Sequence, residues 1–164
     1  MRSILFLFLF FIQYTAFSQD IKQEIAGIYT DSFGSSVELR KNLTFRYLWS
    51  FDLASSWTNG TWIIVNDTIF LKKIIFYDTL ITDDNKVSII ISDDNQRDKF
   101  YQSNMLTFGA FSSGGQDRNP PPMKLYFNDE KLYRIDKNGK LLKKRVKGFW
   151  TQKKVPSWYR KEIN

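Results

Sequence analysis

Beyond about residue 26, apolar side chains recur at every second position between short clusters of Asn, Asp and Gly. A period of two is the signature of strands that bury one face, and the clusters mark the turns between them. Gly27, Ile28 and Tyr29 fall in a first strand. Val37 and Leu39 alternate with Glu38 and Arg40, Lys41-Asn42 offers a tight turn, and Phe45, Tyr47, Trp49 and Phe51 then share one face. Residues 60–65 and 68–72 flank Asn66-Asp67, two residues that tolerate the positive φ of a type I′ hairpin turn. Residues 74–81 and 87–91 are rich in β-branched and aromatic side chains and read as two more strands. Residues 123–127 and 132–135 pair about Asn128-Asp129, and Lys137-Asn138-Gly139 turns into a strand over 140–146. The one helical expectation is a short helix over 98–105, capped by Asp98.

The fold class is therefore all-β. A meander of about 8–10 strands with hairpin-sized gaps closes most economically as an antiparallel up-and-down barrel, which leaves no exposed edge; a two-sheet β-sandwich is the alternative. Residues 93–122 interrupt the pattern with Ser112, Ser113, Gly114, Gly115 and Pro120-Pro121-Pro122. Loops of that length are uncommon and are either functional or disordered or plain connections; on the functional reading Phe108 and Phe111 within it are candidates to cover the mouth of a barrel.

The first residues give a topological expectation of a different kind. Arg2 precedes an unbroken apolar run over 4–12, with small residues following at Ala16 and Ser18. That order predicts a secretory signal peptide over 1–18, too short to span a membrane, and a single mature domain over 19–164 that is exported to the periplasm or the extracellular space. With no transmembrane segment expected in the mature chain and no cysteine in the sequence, stability has to come from packing and sheet hydrogen bonds.

The 164-residue chain also contains no histidine. It cannot supply a Ser-His-Asp triad, a cysteine nucleophile or a conventional zinc site. Carboxylates are present, but Asp31, Asp52, Asp67, Asp83, Asp84, Asp93, Asp94, Asp98 and Asp129 sit mainly where turns are expected, and Asp in a turn serves by hydrogen-bonding its own backbone. The two Asp-Asp-Asn clusters at 83–85 and 93–95 bracket one strand, so they lie at opposite ends of it and do not share a cation. The expectation is a protein that is not an enzyme, with no metal and no cofactor.

Charge is distributed unevenly. Residues 131–164 carry a net +10 and residues 19–130 a net −4. Lys143, Lys144, Arg145 and Lys147 head the basic stretch, which suits an anionic envelope surface or a protein partner; export makes nucleic acid an unsuitable one.

The order Gly27-Ile28-Tyr29, Val37-Glu38-Leu39, Thr44-Phe45, Gly60-Thr61-Trp62, Asp67-Thr68-Ile69 and Leu132-Tyr133-Arg134-Ile135 resembles the small exported lipocalin-like (calycin-type) domains of Gram-negative bacteria. The resemblance implies an antiparallel barrel with room for a small apolar ligand. The leading functional expectation is accordingly a non-enzymatic binding module, with Tyr29, Phe45, Tyr47, Trp49, Trp62, Phe108 and Phe111 as candidate ligand-binding residues. An eight-stranded barrel is equally able to be filled by such side chains. An envelope-associated module using the basic C-terminal surface is the alternative.

Overall fold

The computed structural model describes residues 24–92, 100–102 and 114–163. The signal peptide expected over 1–18, Phe108 and Phe111 lie outside the described residues.

Eight strands form a closed antiparallel barrel. They are β1 (Gly27–Thr30), β2 (Ser35–Leu39), β3 (Thr44–Phe51), β4 (Ala54–Val65), β5 (Thr68–Ile74), β9 (Lys124–Asn128), β10 (Lys131–Arg134) and β13 (Tyr159–Lys161). Neighbours around the barrel are also successive along the chain, and β13 closes it by pairing with β10 on one side and β1 on the other. The up-and-down barrel expected from the alternation is the fold; the two-sheet alternative is not. Among the described residues five further strands stand outside the barrel. β6 (Tyr77–Ile81), β7 (Val87–Ile91) and β8 (Phe100–Gln102) make a small sheet, and β11 (Arg145–Lys147) pairs with β12 (Lys154–Pro156).

The barrel has two unlike ends. At one, the connections are tight. Asn66 and Asp67 both take positive φ, as a type I′ turn requires, and so do Asp129 and Glu130, one residue later than the sequence places that turn. The β2–β3 turn spans four residues, Arg40 to Leu43, with Leu43 in the left-handed region at φ 63°. Asn42 Oδ1 accepts hydrogen bonds from Thr44 N and Thr44 Oγ1, which closes the turn. At the other end emerge the β1–β2 turn, the β3–β4 turn and both long connections, those carrying β6–β8 and β11–β12.

The turn-bearing end is filled. Tyr29, Val37, Leu39, Phe45, Trp62, Ile69, Leu125 and Leu132 are inward-facing and at most 1% exposed. Ile25, also buried, accepts a hydrogen bond from Tyr29 Oη at 2.7 Å. Gly60 opposes Phe45 across β3 and β4, and its missing side chain gives that ring its place: a Cβ there would lie 2.5 Å from Phe45 Cε1 and 2.1 Å from Lys72 O.

Three expected elements differ. The strand expected over 140–146 is only an isolated bridge between Leu141 and Ile135 followed by β11 at Arg145–Lys147. The strand expected over 74–81 is broken at Ile75-Phe76, because Gln116 takes both backbone groups of Phe76: its Oε1 accepts from Phe76 N at 2.9 Å and its Nε2 donates to Phe76 O at 3.0 Å. Phe100–Gln102, inside the expected helix, is a strand parallel to β6. Phe100 and Tyr101 favour extended backbone, and a sheet partner overrides the weak helical pattern.

Candidate functional site

Inward-facing positions turn polar as the strands run towards the end with the long connections. On β2 the series Leu39, Val37 gives way to Ser35, on β4 Trp62 gives way to Thr58 and Ser56, and on β10 Leu132 gives way to Arg134. Alternation holds throughout, so these groups have no route outward and must find partners inside.

They do so in two clusters. The first is built on residues 114–119. Gly115 to Asp117 lies alongside Trp57 where β5 no longer pairs with β4, with Trp57 N donating to Gly115 O and Asp117 N to Trp57 O at 2.9 Å. Asp117 then accepts from Thr58 Oγ1 at 3.2 Å and pairs with Lys73 at 2.5 Å, while Asn119 N donates to Ser56 Oγ at 2.9 Å. Part of the interruption expected as a loop is thus pinned to the barrel, and it carries Asn119 to Pro122 to the mouth.

The second cluster centres on Arg134. Its Nη2 donates to Asp31 Oδ2 at 2.6 Å and to Tyr159 Oη at 3.0 Å. The Asp31 side chain is fully buried, and its other oxygen accepts from Phe33 N and Ser35 N at 2.8 and 2.9 Å. Burial works against the charge on Arg134, but Tyr159 and Asp31 more than offset it, and the guanidinium pKa is raised. Burial also pushes the Tyr159 phenol up, against the opposing pull of Arg134. Tyr47 Oη donates to Ser35 Oγ at 3.3 Å, and burial raises its pKa as well.

Arg134 is not saturated. Its Nε is buried without a hydrogen-bond partner, and among the described residues nothing bonds Nη1. Arg134 is among the residues that line a cleft of about 680 Å³ at the barrel mouth. Tyr47 and Trp49 line it from β3, Phe33 from the β1–β2 turn, Pro120 to Pro122 from the pinned connection, and Leu142, Val146, Phe149 and Ser157 from the basic segment between β10 and β13. Aromatic contacts brace the rim: Phe33 meets Phe149 edge-on at 5.2 Å, and Phe51 lies 4.6 Å from Phe149 and 5.9 Å from Trp150.

Of the candidate ligand-binding residues, the structure brings Tyr47 and Trp49 to the cleft. Tyr29, Phe45 and Trp62 are packed in the filled end, where Trp62 Nε1 donates to Arg40 O at 3.1 Å. Lys143, Lys144, Arg145 and Lys147 are exposed on the outer side of the segment whose inner side forms one cleft wall; Lys143 Nζ sits 5.3 Å from the Tyr133 ring centre, and Arg145 Nε donates to Lys154 O. Sequence reasoning missed Arg134, Ser35 and the proline wall. An Arg at an inward register position, two residues after Leu132, is the signal that was available for Arg134.

Among the described residues no three acidic side chains gather as a cation site, and no helix is long and apolar enough to cross a membrane. The chain is, by class, a closed eight-stranded antiparallel barrel with an aromatic cleft at its mouth. Comparison with protein-family models, with curated proteins and with solved structures finds no match in any of the three.

Proposed function

We propose that the chain is an exported, non-enzymatic, lipocalin-like binding module that holds a small, largely apolar ligand at the mouth of its barrel. The observation that carries this reading is the cleft itself. Its volume of about 680 Å³ lies within the range of small-molecule sites, and its lining combines aromatic and proline side chains with a small number of polar groups. The filled end acts as a rigid base, so the ligand sits above the core. The leader expected from the sequence over 1–18 supports export to the periplasm or the extracellular space.

Native mass spectrometry of the mature chain, purified from its own host's envelope and followed by organic extraction, tests this. A discrete co-purifying small molecule is the expected result. A bare polypeptide mass that also fails to bind apolar fluorophores removes the reading.

A second reading rests on a separate observation. Trp150 is 88% exposed and follows the 58% exposed Phe149, and the exposed bases of β11 precede them by only a few residues in the chain. Aromatics amid lysine and arginine suit the interface of an anionic envelope surface. Flotation with anionic vesicles is expected to retain the chain at low salt and to lose it on combined substitution of Lys143, Lys144 and Arg145 by Gln; unchanged retention removes this reading.

A further inference from the structure

We infer that the small sheet beside the barrel is a contact surface for a second copy of this chain, the two sheets packing face to face across a two-fold axis. The surface contains none of the residues that line the mouth cleft.

The register of the sheet places its side chains. β6 pairs with β7 through Tyr77–Ile91, Thr79–Ile89 and Ile81–Val87, and Thr79 is opposite Phe100 of β8. Cross-strand partners share a face, so these side chains lie on one side of the sheet. On the other side Asp78 is buried and Leu80 and Ile90 are half-buried, so that side already has its cover. The first side is the more apolar of the two, and it is open: Tyr77, Val87, Ile89, Ile91 and Phe100 are between 54% and 75% exposed. At about 200 Å² for a whole side chain of this size they present roughly 600 Å², the top of the range for the largest patch on a monomer. A sheet with an apolar face is stable when another layer covers that face.

Charge and area say what covers it. The face holds no charged side chain, and residues 77–91 hold Asp78, Asp83 and Asp84 against Lys86 alone, a net of −2 in a chain of +7. An anionic lipid surface is therefore repelled here and drawn to the basic stretch instead. A second copy meets no such penalty. Its matching face is uncharged, and Lys86 is paired with Asp84 in the β6–β7 turn, on the opposite side by alternation. Two such faces bury roughly 1,200 Å² in total, past the roughly 1,000 Å² that a specific interface needs. Packed sheets stand about 10 Å apart with their side chains interdigitated, and β-branched residues fill that layer well. Because both copies use the same face, the contact closes at two and does not propagate.

Sedimentation velocity of the full mature chain over a roughly hundredfold concentration range is expected to show monomer giving way to dimer, with a dissociation constant of about micromolar order. Ile89→Lys is expected to raise that constant at least tenfold and to leave the melt unchanged, since Ile89 is 75% exposed. Ser88→Lys, exposed on the opposite side of the same strand, is expected to leave the dimer intact. The sequence has no cysteine, so Thr79→Cys puts a single thiol at the centre of the face, and a short bifunctional thiol reagent is expected to join two chains through it. That cross-link carries the test should Ile89→Lys fail to fold. A monomer at every concentration overturns the inference. So does a dimer that Ile89→Lys leaves intact, or one that Thr79→Cys does not cross-link, which would mean pairing along the edge of β7. Retention of the native chain by uncharged vesicles that Ile89→Lys abolishes would make lipid the occupant, and a monomer whose melt Ile89→Lys lowers would make the cover another part of its own chain; either result overturns the inference.

Discussion

Asp31 and Arg134 stand 103 positions apart in the chain and meet at 2.6 Å inside the barrel, across the strand that closes it. Asp31 follows β1 and Arg134 ends β10, with β13 between them, so the pair ties the first and the late strands at the level of the mouth. One oxygen of Asp31 also shapes the β1–β2 turn through Phe33 N and Ser35 N. Breaking a buried pair from one side costs about 3–5 kcal/mol, less where one partner is reachable by water. The Arg134 side chain is 35% exposed, so Asp31→Asn, which keeps the turn acceptor and loses the charge, is expected to cost about 2 kcal/mol in urea unfolding. Combining it with Arg134→Met is expected to cost less than the two single changes added. Strict additivity in that cycle would show that the pair contributes no coupling.

Gly60 and Gly139 make a controlled contrast. At Gly60 a methyl group would meet Lys72 O at 2.1 Å, which is backbone and does not yield, and Phe45 Cε1 at 2.5 Å in the packed core. At Gly139 nothing lies within 4 Å, but φ is +78°. Gly60→Ala is therefore expected to destabilise by about 3 kcal/mol, as overpacking does, and Gly139→Ala by about 1 kcal/mol through backbone strain alone. Thermal unfolding of both variants checks the ranking, and a Gly60→Ala chain as stable as the native one would contradict the Phe45–Gly60 packing.

Of the three buried phenols with raised pKa, Tyr29, Tyr47 and Tyr159, the first and last predict the largest loss of stability at high pH. Burial raises the pKa of Tyr29, assisted by the carboxylates of Glu130 and Glu24, and burial raises that of Tyr159. In the unfolded chain both titrate near the usual value of about 10. Above that pH the unfolded state holds fewer protons than the folded one, so stability falls as pH rises, by about 1.4 kcal/mol per unit for each phenol. Below about pH 9 neither contributes any slope. Tyrosinate absorbance is expected to develop in two stages, exposed tyrosines first and the buried Tyr29, Tyr47 and Tyr159 only with unfolding. Tyr29→Phe is expected to lower stability at neutral pH by about 1 kcal/mol, through loss of the bond to Ile25 O, and to flatten the alkaline slope. An unchanged slope would remove Tyr29 as a source.

Alternation along a strand is a local property, and what it governs was legible. Residues 87–91 form β7 with the bounds the pattern implies, and Asn66-Asp67 makes the turn its side chains favour. The pattern does not say which sheet a strand joins, and β6 to β8 stand apart from the barrel for reasons that include the grip of Gln116 on Phe76, 40 positions away. Nor does it encode depth. Phe45, Tyr47 and Trp49 are one inward series, yet Phe45 lies in the filled base while Tyr47 and Trp49 reach the cleft. Asp31 reads as a turn residue and is one; its second oxygen answers to Arg134, a pairing across 103 positions that no local pattern announces. Three-residue strands such as β11 and β13 are too short to show a period, and in a lysine-rich tail β13 reads as surface.

That short strand carries the last prediction. Tyr159–Lys161 is the piece that turns an open sheet into a closed barrel, because β10 and β1 pair with it and not with each other. Tyr159 is fully buried, and its hydroxyl accepts from Arg134, so removing the strand deletes core volume and a polar partner and exposes two sheet edges together. Loss of a buried aromatic alone costs about 3–5 kcal/mol, much of the total stability of a domain this size. A chain ending at Ser157 is therefore expected to lose cooperative unfolding and to aggregate. A chain ending at Glu162, which keeps the bond from Glu162 N to Ile28 O at 2.8 Å and drops a 94% exposed Ile163, is expected to match the full chain. Circular dichroism melts of the two truncations decide the matter, and a cooperative native-like melt for the shorter one would mean that the barrel does not depend on β13 for closure.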